Sequence, residues 1–176
     1  MATTPSVPAN PQDAAWVRVR ASDPLVAPML RQLGDEYSAR YGKDAHTELA
    51  RYPAEEFEPP HGVLLLLLEQ GAAVAGGAYR RRDASTAELK RIWTHPAHRR
   101  RGLARRVVAE LERTAAAAGY PRVYLTTGPR QPEARALYLA AGYTPLFDLS
   151  ADPEDIGPLP FTKDLAPPPY TGRRVV

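Results

Sequence analysis

The chain has 176 residues, with 23 Lys and Arg set against 20 Asp and Glu and a formal net charge of +3. That length suits one domain with a substantial core, and the near balance of charge argues against a polybasic nucleic-acid binder. The absence of cysteine excludes disulfides, thiolate metal sites and a cysteine nucleophile. The longest apolar run, Val63 to Leu68, is far short of the roughly 18–20 residues of a membrane span. The first residues lack the basic and apolar regions of a signal peptide. A cytoplasmic protein that uses neither membrane nor nucleic acid is the expectation.

In chain order, residues 1–14, with Pro5, Pro8 and Pro11, read as a flexible leader. Residues 15–165 read as the folded domain, and 166–176 as a proline-rich tail. WVRVRA (16–21) alternates as a strand does. Asp23 and Pro24 suit a helix start, and Leu25, Met29, Leu33, Tyr37 and Tyr41 form a helical stripe that Gly42 ends. Pro28 leaves the position of that start open, because an interior proline removes a ladder hydrogen bond. Residues 43–61 read as polar loops around a short helix near Pro53 to Phe57. VLLLLLEQ (63–70) reads as a fully buried strand, AAVAGGAYR (72–80) pairs back on it after Gly71, and STAELKRIWTH (85–95) is the third strand of this meander.

After Gly102 the period changes. Leu103, Val107, Val108, Leu111 and Ala115 fall on one helical face, closed by Gly119 and Pro121. VYLTT (123–127) is a strand, Pro132 opens a helix closed by Gly142, and YTPLF (143–147) and a segment near 159–164 complete the strands. Strands first, then alternating strands and helices, give an α+β or mixed α/β sheet.

The arginines of THPAHRRRGLARR (94–106) lie in a strand-to-helix turn. A helix start offers backbone N–H groups without internal partners and a partial positive charge, a ready phosphate site. Gly102 permits close backbone approach, and arginines close around an anion with charge-assisted hydrogen bonds. Arginines at a helix start oppose its dipole unless an anion compensates. A solvated basic helix start is the competing reading.

AELKRIWTHPAHRRRGLARRVVAELE (87–112) resembles the acyl-CoA-binding motif of the GNAT superfamily of N-acetyltransferases, Arg/Gln-x-x-Gly-x-Gly/Ala, with Arg99, Gly102 and Ala104 at the defining positions. QPEARALYLAAGY (131–143) resembles that family's later Asn-x-x-Ala-x-x-Leu-Tyr-x-x-x-Gly-Phe/Tyr stretch, with Gln131 where Asn is commonest. The resemblance spans roughly 16–165. It implies a GNAT-like fold: a twisted, mostly antiparallel sheet of about six or seven strands flanked by about four helices.

It also implies acetyl-CoA as co-substrate and no metal. Ile92, Trp93 and Thr94 would run beside the pantetheine arm. Arg99, Arg100, Arg101, Gly102, Leu103, Ala104 and Arg105 would hold the pyrophosphate, with spare arginines near the 3′-phosphate, and Gln131 would add a contact. Tyr138 would donate a proton to the departing sulfur, or else be a core aromatic. Glu88 would act as base through a water or anchor the amine, or else be a surface strand residue paired with Lys90 or an arginine. Glu36 and Tyr37 would border the acceptor groove, where the Glu36 carboxylate would hold a cationic amine, or else lie on a solvated helix face. Thr126 stands where relatives often carry Glu, so an acidic role is missing there. His46, His61, His95 and His98 have no paired spacing, which argues against a metal site. Arg80 to Arg82 read as solvated charge.

The leading reading is an N-acetyltransferase acting on the primary amine of a small molecule. A protein or peptide N-acetyltransferase and a non-catalytic CoA-binding regulatory module are alternatives. The resemblance leaves a homodimer open.

Overall fold

The computed structural model describes residues 14–42 and 45–166. The expected leader, all but its last residue, and the expected tail, all but its first, lie outside them. The strands are β1 (Ala15–Arg18), β2 (Val63–Glu69), β3 (Ala72–Arg81), β4 (Thr86–Thr94), β5 (Arg122–Thr127), β6 (Thr144–Pro145) and β7 (Leu159–Asp164). They form one sheet in the order β1-β2-β3-β4-β5-β7-β6. Every neighbouring pair is antiparallel except β4 with β5. The helices are α1 (Ala27–Tyr41), α2 (Ala45–Ala50), α3 (Leu103–Ala117), α4 (Pro132–Ala140) and α5 (Pro153–Ile156).

The unbroken apolar run of β2 has a simple cause. Leu64 and Leu66 face a core that Val26, Met29 and Leu33 complete from the α1 side. Leu65 and Leu67 face the opposite core, with Val107, Val108 and Leu111 of α3. A strand covered on both faces needs apolar residues at every position. Its hairpin to β3 turns through Gln70 and Gly71, both at positive φ (52° and 78°), as a tight two-residue turn requires. The glycine pair in β3 answers to packing. A Cβ on Gly77 would stand 2.8 Å from the Val107 side chain, and one on Gly76 would stand 2.7 Å from the Leu65 carbonyl. These glycines let α3 and β2 approach β3 closely.

Several boundaries differ from expectation. β1 stops at Arg18, and β6 is only two residues long. The apolar Leu146 lies beyond β6, exposed. Residues 45–50 are helical, so His46 stands in α2 and not in a loop. The short α5, begun by Asp152 accepting from the Glu154 N–H at 3.0 Å, had no periodic signal. At the start of α1, Asp23 caps a 3₁₀ turn (Pro24–Val26) through the Leu25 N–H at 2.9 Å. Pro28 then occupies the first turn of α1, where its missing N–H costs nothing.

Candidate active site

The site begins where the one parallel pair among the described strands fails. β4 and β5 are paired at Thr86–Arg122, Ala87–Val123 and Glu88–Tyr124 and no further. Beyond Glu88 the two strands part, while β4 stays bonded to β3 on its other edge. The β5-facing backbone of Leu89 to Thr94 therefore has no strand partner. A register irregularity with Arg91 at φ 59° sits in this stretch. The opening is a cleft of about 1220 Å³.

At one end of the cleft lies the arginine turn. Arg100 and Gly102 both have positive φ, 64° and 70°, which curls the chain into α3, whose first amides have no partner within the helix. The first turn of α3 holds no acid and no side-chain cap, so its dipole is uncompensated from within the fold. A Cβ on Gly102 would meet nothing within 4 Å. Arg99, Arg100, Gly102, Leu103, Ala104 and Arg105 all line the cleft, as do Ile92, Trp93, Thr94 and Gln131.

Arg101 does not line it. Its guanidinium turns back to Glu69 at the end of β2, with bonds of 3.0 and 2.8 Å. The carboxylate of Glu69 thus holds the Arg101 side chain away from the cleft, which leaves its backbone N–H as the group for the expected contact.

Trp93 is buried and gives its indole N–H to Gln32 at 2.9 Å, so its contribution to the cleft is its backbone. Gln131 folds its carbonyl oxygen back to the Gly128 N–H at 3.0 Å, holding the β5–α4 loop in shape. That loop is locked to α1 from the other side. Arg130 N–H donates to the Tyr41 hydroxyl at 3.1 Å, and Arg130 and Arg40 exchange hydrogen bonds to each other's carbonyls.

Glu36 is less open than expected for an amine anchor. Its carboxylate pairs with Arg40 at 2.9 Å and lies 3.6 Å from Arg99. It thus organises the arginine end of the cleft. Tyr37 lines the same wall.

Tyr138 lies midway. It packs on Tyr143 and Phe161, with ring centres 5.6 and 5.8 Å away, and it lines the cleft. It is therefore a core aromatic and a cleft residue at once. Burial, with a smaller contribution from the Tyr37 phenol, pushes its pKa up from 10.0. Tyr138 is thus an O–H donor throughout the ordinary pH range.

At the far end stands Glu88, six residues from Thr94 and so roughly 20 Å away along the strand. It is no surface residue, being 4% exposed. Its two oxygens face Arg80 at 2.6 Å and Lys90 at 3.3 Å. Arg80 bridges onward to Glu56. Arg80 is therefore not the solvated charge the sequence suggested: burial opposes its charge, but the bonds to Glu56 and Glu88 outweigh burial and its pKa is raised. A carboxylate has about four acceptor sites, so Glu88 keeps room for a water or an ammonium.

Sequence reasoning missed Tyr52, Arg82, Lys90 and Tyr124 as cleft residues. Tyr52 lies under the cations of Arg80 (4.4 Å) and Lys90 (4.8 Å). No motif marks these positions, which come from four separate segments.

The sequence model of the Acetyltransferase (GNAT) family matches residues 28–143. The chain belongs to this family of acetyltransferases. Solved structures with the same fold include one from Klebsiella pneumoniae described as an acyl-CoA N-acyltransferase. It is 24% identical, with a TM-score of 0.69, and the match covers 87% of this chain and 98% of that one. An acetyltransferase of Streptococcus agalactiae shares 20% identity at a TM-score of 0.63, covering 86% and 98%. A Salmonella typhimurium protein of acetyltransferase type, bound to its cofactor acetyl-CoA, shares 15% identity at 0.64, covering 92% and 99%. No curated protein matches the sequence. The GNAT chain is thus an acyl-transferring enzyme by family, on a mostly antiparallel seven-stranded sheet as expected. Among the described residues, no helix is long and apolar enough to cross a membrane.

Proposed function

We propose that this chain transfers the acetyl group of acetyl-CoA to a primary amine of a small molecule by direct attack on the thioester. The observation that carries the reading is the parting of β4 from β5 after Glu88, which leaves unpaired backbone running straight to an uncapped helix start. An extended arm fits the open edge as an added strand. A pyrophosphate fits the amides of Leu103 to Arg105, with Arg99, Arg100 and Arg105 around it.

The thioester supplies an activated acyl group and a thiolate leaving group. Tyr138 lines the cleft with its proton retained and would give it to the departing sulfur. Glu88 holds the acceptor amine or a water that takes its proton, since an alkylamine with pKa near 10.4 must deprotonate before it attacks. Fixing both substrates in one cleft supplies much of the remaining rate.

The test is calorimetric titration with acetyl-CoA at near-physiological salt, with a short nucleic-acid duplex as control, followed by thiol-release assays over an amine panel. Saturable binding with turnover of small amines is expected. Turnover of peptides alone would favour the protein-directed reading, and binding without turnover would favour a regulatory module.

A further inference from the structure

The far end of the cleft carries more positive charge than its own acids match. We propose that the acceptor is a small amine that also carries a carboxylate, and that Arg82 and Lys90 bind that carboxylate beside Glu88. The inference rests on the acetyl-transfer reading above and adds the class of acceptor.

Among the described residues, both acids at this end already have cations beside them. Glu56 binds Arg80, and Glu88 is shared between Arg80 and Lys90. Two further cations have no carboxylate within ion-pair distance among the described residues. Arg82 lies with its guanidinium 3.7 Å from the centre of the Tyr124 ring. Arg91 lies 4.1 Å over the Phe57 ring and donates to the Leu49 carbonyl at 3.0 Å. Burial lowers the Arg91 pKa, yet a guanidinium stays charged in proteins. Stacking on aromatic rings holds both guanidinium groups in place and neutralises neither.

The placement of Arg82 gives the surplus a use. Its backbone N–H is fixed to the Thr86 carbonyl at 2.9 Å. Its ring partner Tyr124 stands opposite Glu88 in the β4–β5 ladder. Arg82, Lys90 and Glu88 therefore border one spot, where the strands begin to part, and all three line the cleft. A short zwitterion meets complementary charge there: its ammonium faces Glu88 and its carboxylate faces the cations. A polyamine or polycationic sugar would bring several ammonium groups to a wall where, among the described residues, cations outnumber acids, and would be disfavoured by like charge.

The experiment uses matched sets: an amino acid, its decarboxylated amine and its carboxamide, together with a linear polyamine. The rate of thiol release at saturating acetyl-CoA gives kcat/KM for each. The carboxylate member is expected to exceed its carboxyl-free partners by about tenfold or more, as a charge-assisted hydrogen bond warrants. Arg82→Gln is expected to bring that ratio close to one through KM, while Arg82→Lys keeps most of it. Arg82 is exposed, so thermal melting serves as the check that both variants fold. Equal rates within every set, or a preference for the polyamine, would overturn the inference while leaving acetyl transfer standing. Failure of the protein to bind acetyl-CoA in a separate titration would overturn both.

Discussion

At one end of the cleft the groups proposed to meet a ligand are backbone amides in consecutive residues; at the other they are side chains gathered from four separated segments. The arginine end needs a particular chain path. Positive φ at Arg100 and Gly102 and an uncapped helix start produce it within a handful of residues. The Glu88 end needs particular chemistry in particular places, and Tyr52, Arg82, Glu88 and Tyr124 reach it only because the sheet brings them together. The first kind of site tolerates changes of side chain as long as the path survives. The second tolerates changes of path as long as the charges balance. Each variant below presses on one side of that contrast.

The largest effect is expected from Gly102→Glu. A Cβ there meets open space, so the fold has room, but a carboxylate would stand at the proposed phosphate site. Affinity for acetyl-CoA should fall by about 100-fold or more in calorimetry, since repulsion replaces a charge-assisted contact. Gly102→Ala separates the causes. It carries only the strain of φ +70°, of order 1 kcal/mol, and should lower the melting temperature while keeping most of the affinity. Equal losses of affinity in both variants would mean that backbone path, and not charge, governs the site.

Tyr138→Phe comes next. It keeps the ring that packs on Tyr143 and Phe161 and removes the proton. A fall in kcat of about 100-fold, the usual worth of a positioned acid, is expected with a smaller change in KM. Burial raises the pKa values of both Tyr138 and Tyr143 above 10.0, and the sign of the resulting pH dependence follows. The folded state favours the neutral phenols, so this contribution to stability is complete below about pH 10 and is lost as pH rises through and beyond it, because the unfolded chain ionises first. Melting temperature should therefore drop above pH 10, and Tyr138→Phe should shrink the drop.

The contrast also explains what was legible in the sequence. Helical and strand periods marked the main elements, because α3 and β2 bury faces whose spacing is written in consecutive residues. The motif around Gly102 was legible for the same reason: its geometry is local. Short elements were not. α2 and α5 have too few residues to show a period, and β6 is a two-residue pairing that depends on β7. Arg80 read as solvated because nothing nearby in sequence announces Glu56. Glu36 read as an open carboxylate although its nearer partner, Arg40, stands one helical turn on; the second cation beside it, Arg99, comes 63 residues later. Arg101 was indistinguishable from its neighbours until Glu69 appeared beside it.

Glu88→Gln tests the far end by removing a charge from a balanced cluster. Arg80 keeps Glu56, but Lys90 loses its only ion-pair partner among the described residues, and both cations are mostly enclosed. Leaving a buried charge without its partner costs about 3 kcal/mol, so denaturant unfolding should show a loss of that order along with reduced activity. Glu88→Gln combined with Lys90→Met restores the balance of charge and should recover much of the stability without recovering the activity. Recovery of both would show that Glu88 serves the fold and not the reaction.

The smallest effect is expected from Arg101→Ala. By sequence it is one of three adjacent arginines, any of which could meet the phosphates. By structure its guanidinium is held by both oxygens of Glu69, exposed at the end of β2, while Arg99 and Arg100 line the cleft. An exposed ion pair adds little to stability, so the melting temperature should barely move, and acetyl-CoA affinity should change by less than about twofold at physiological salt, where charge at a distance is screened. Arg99→Ala and Arg100→Ala should each cost several-fold. If all three cost the same, the helix start would be attracting phosphate through the summed charge of the turn, and the assignment of individual side chains would give way to a field. If Arg101→Ala stands apart, the bonds to Glu69 have removed one arginine from a site that already has enough.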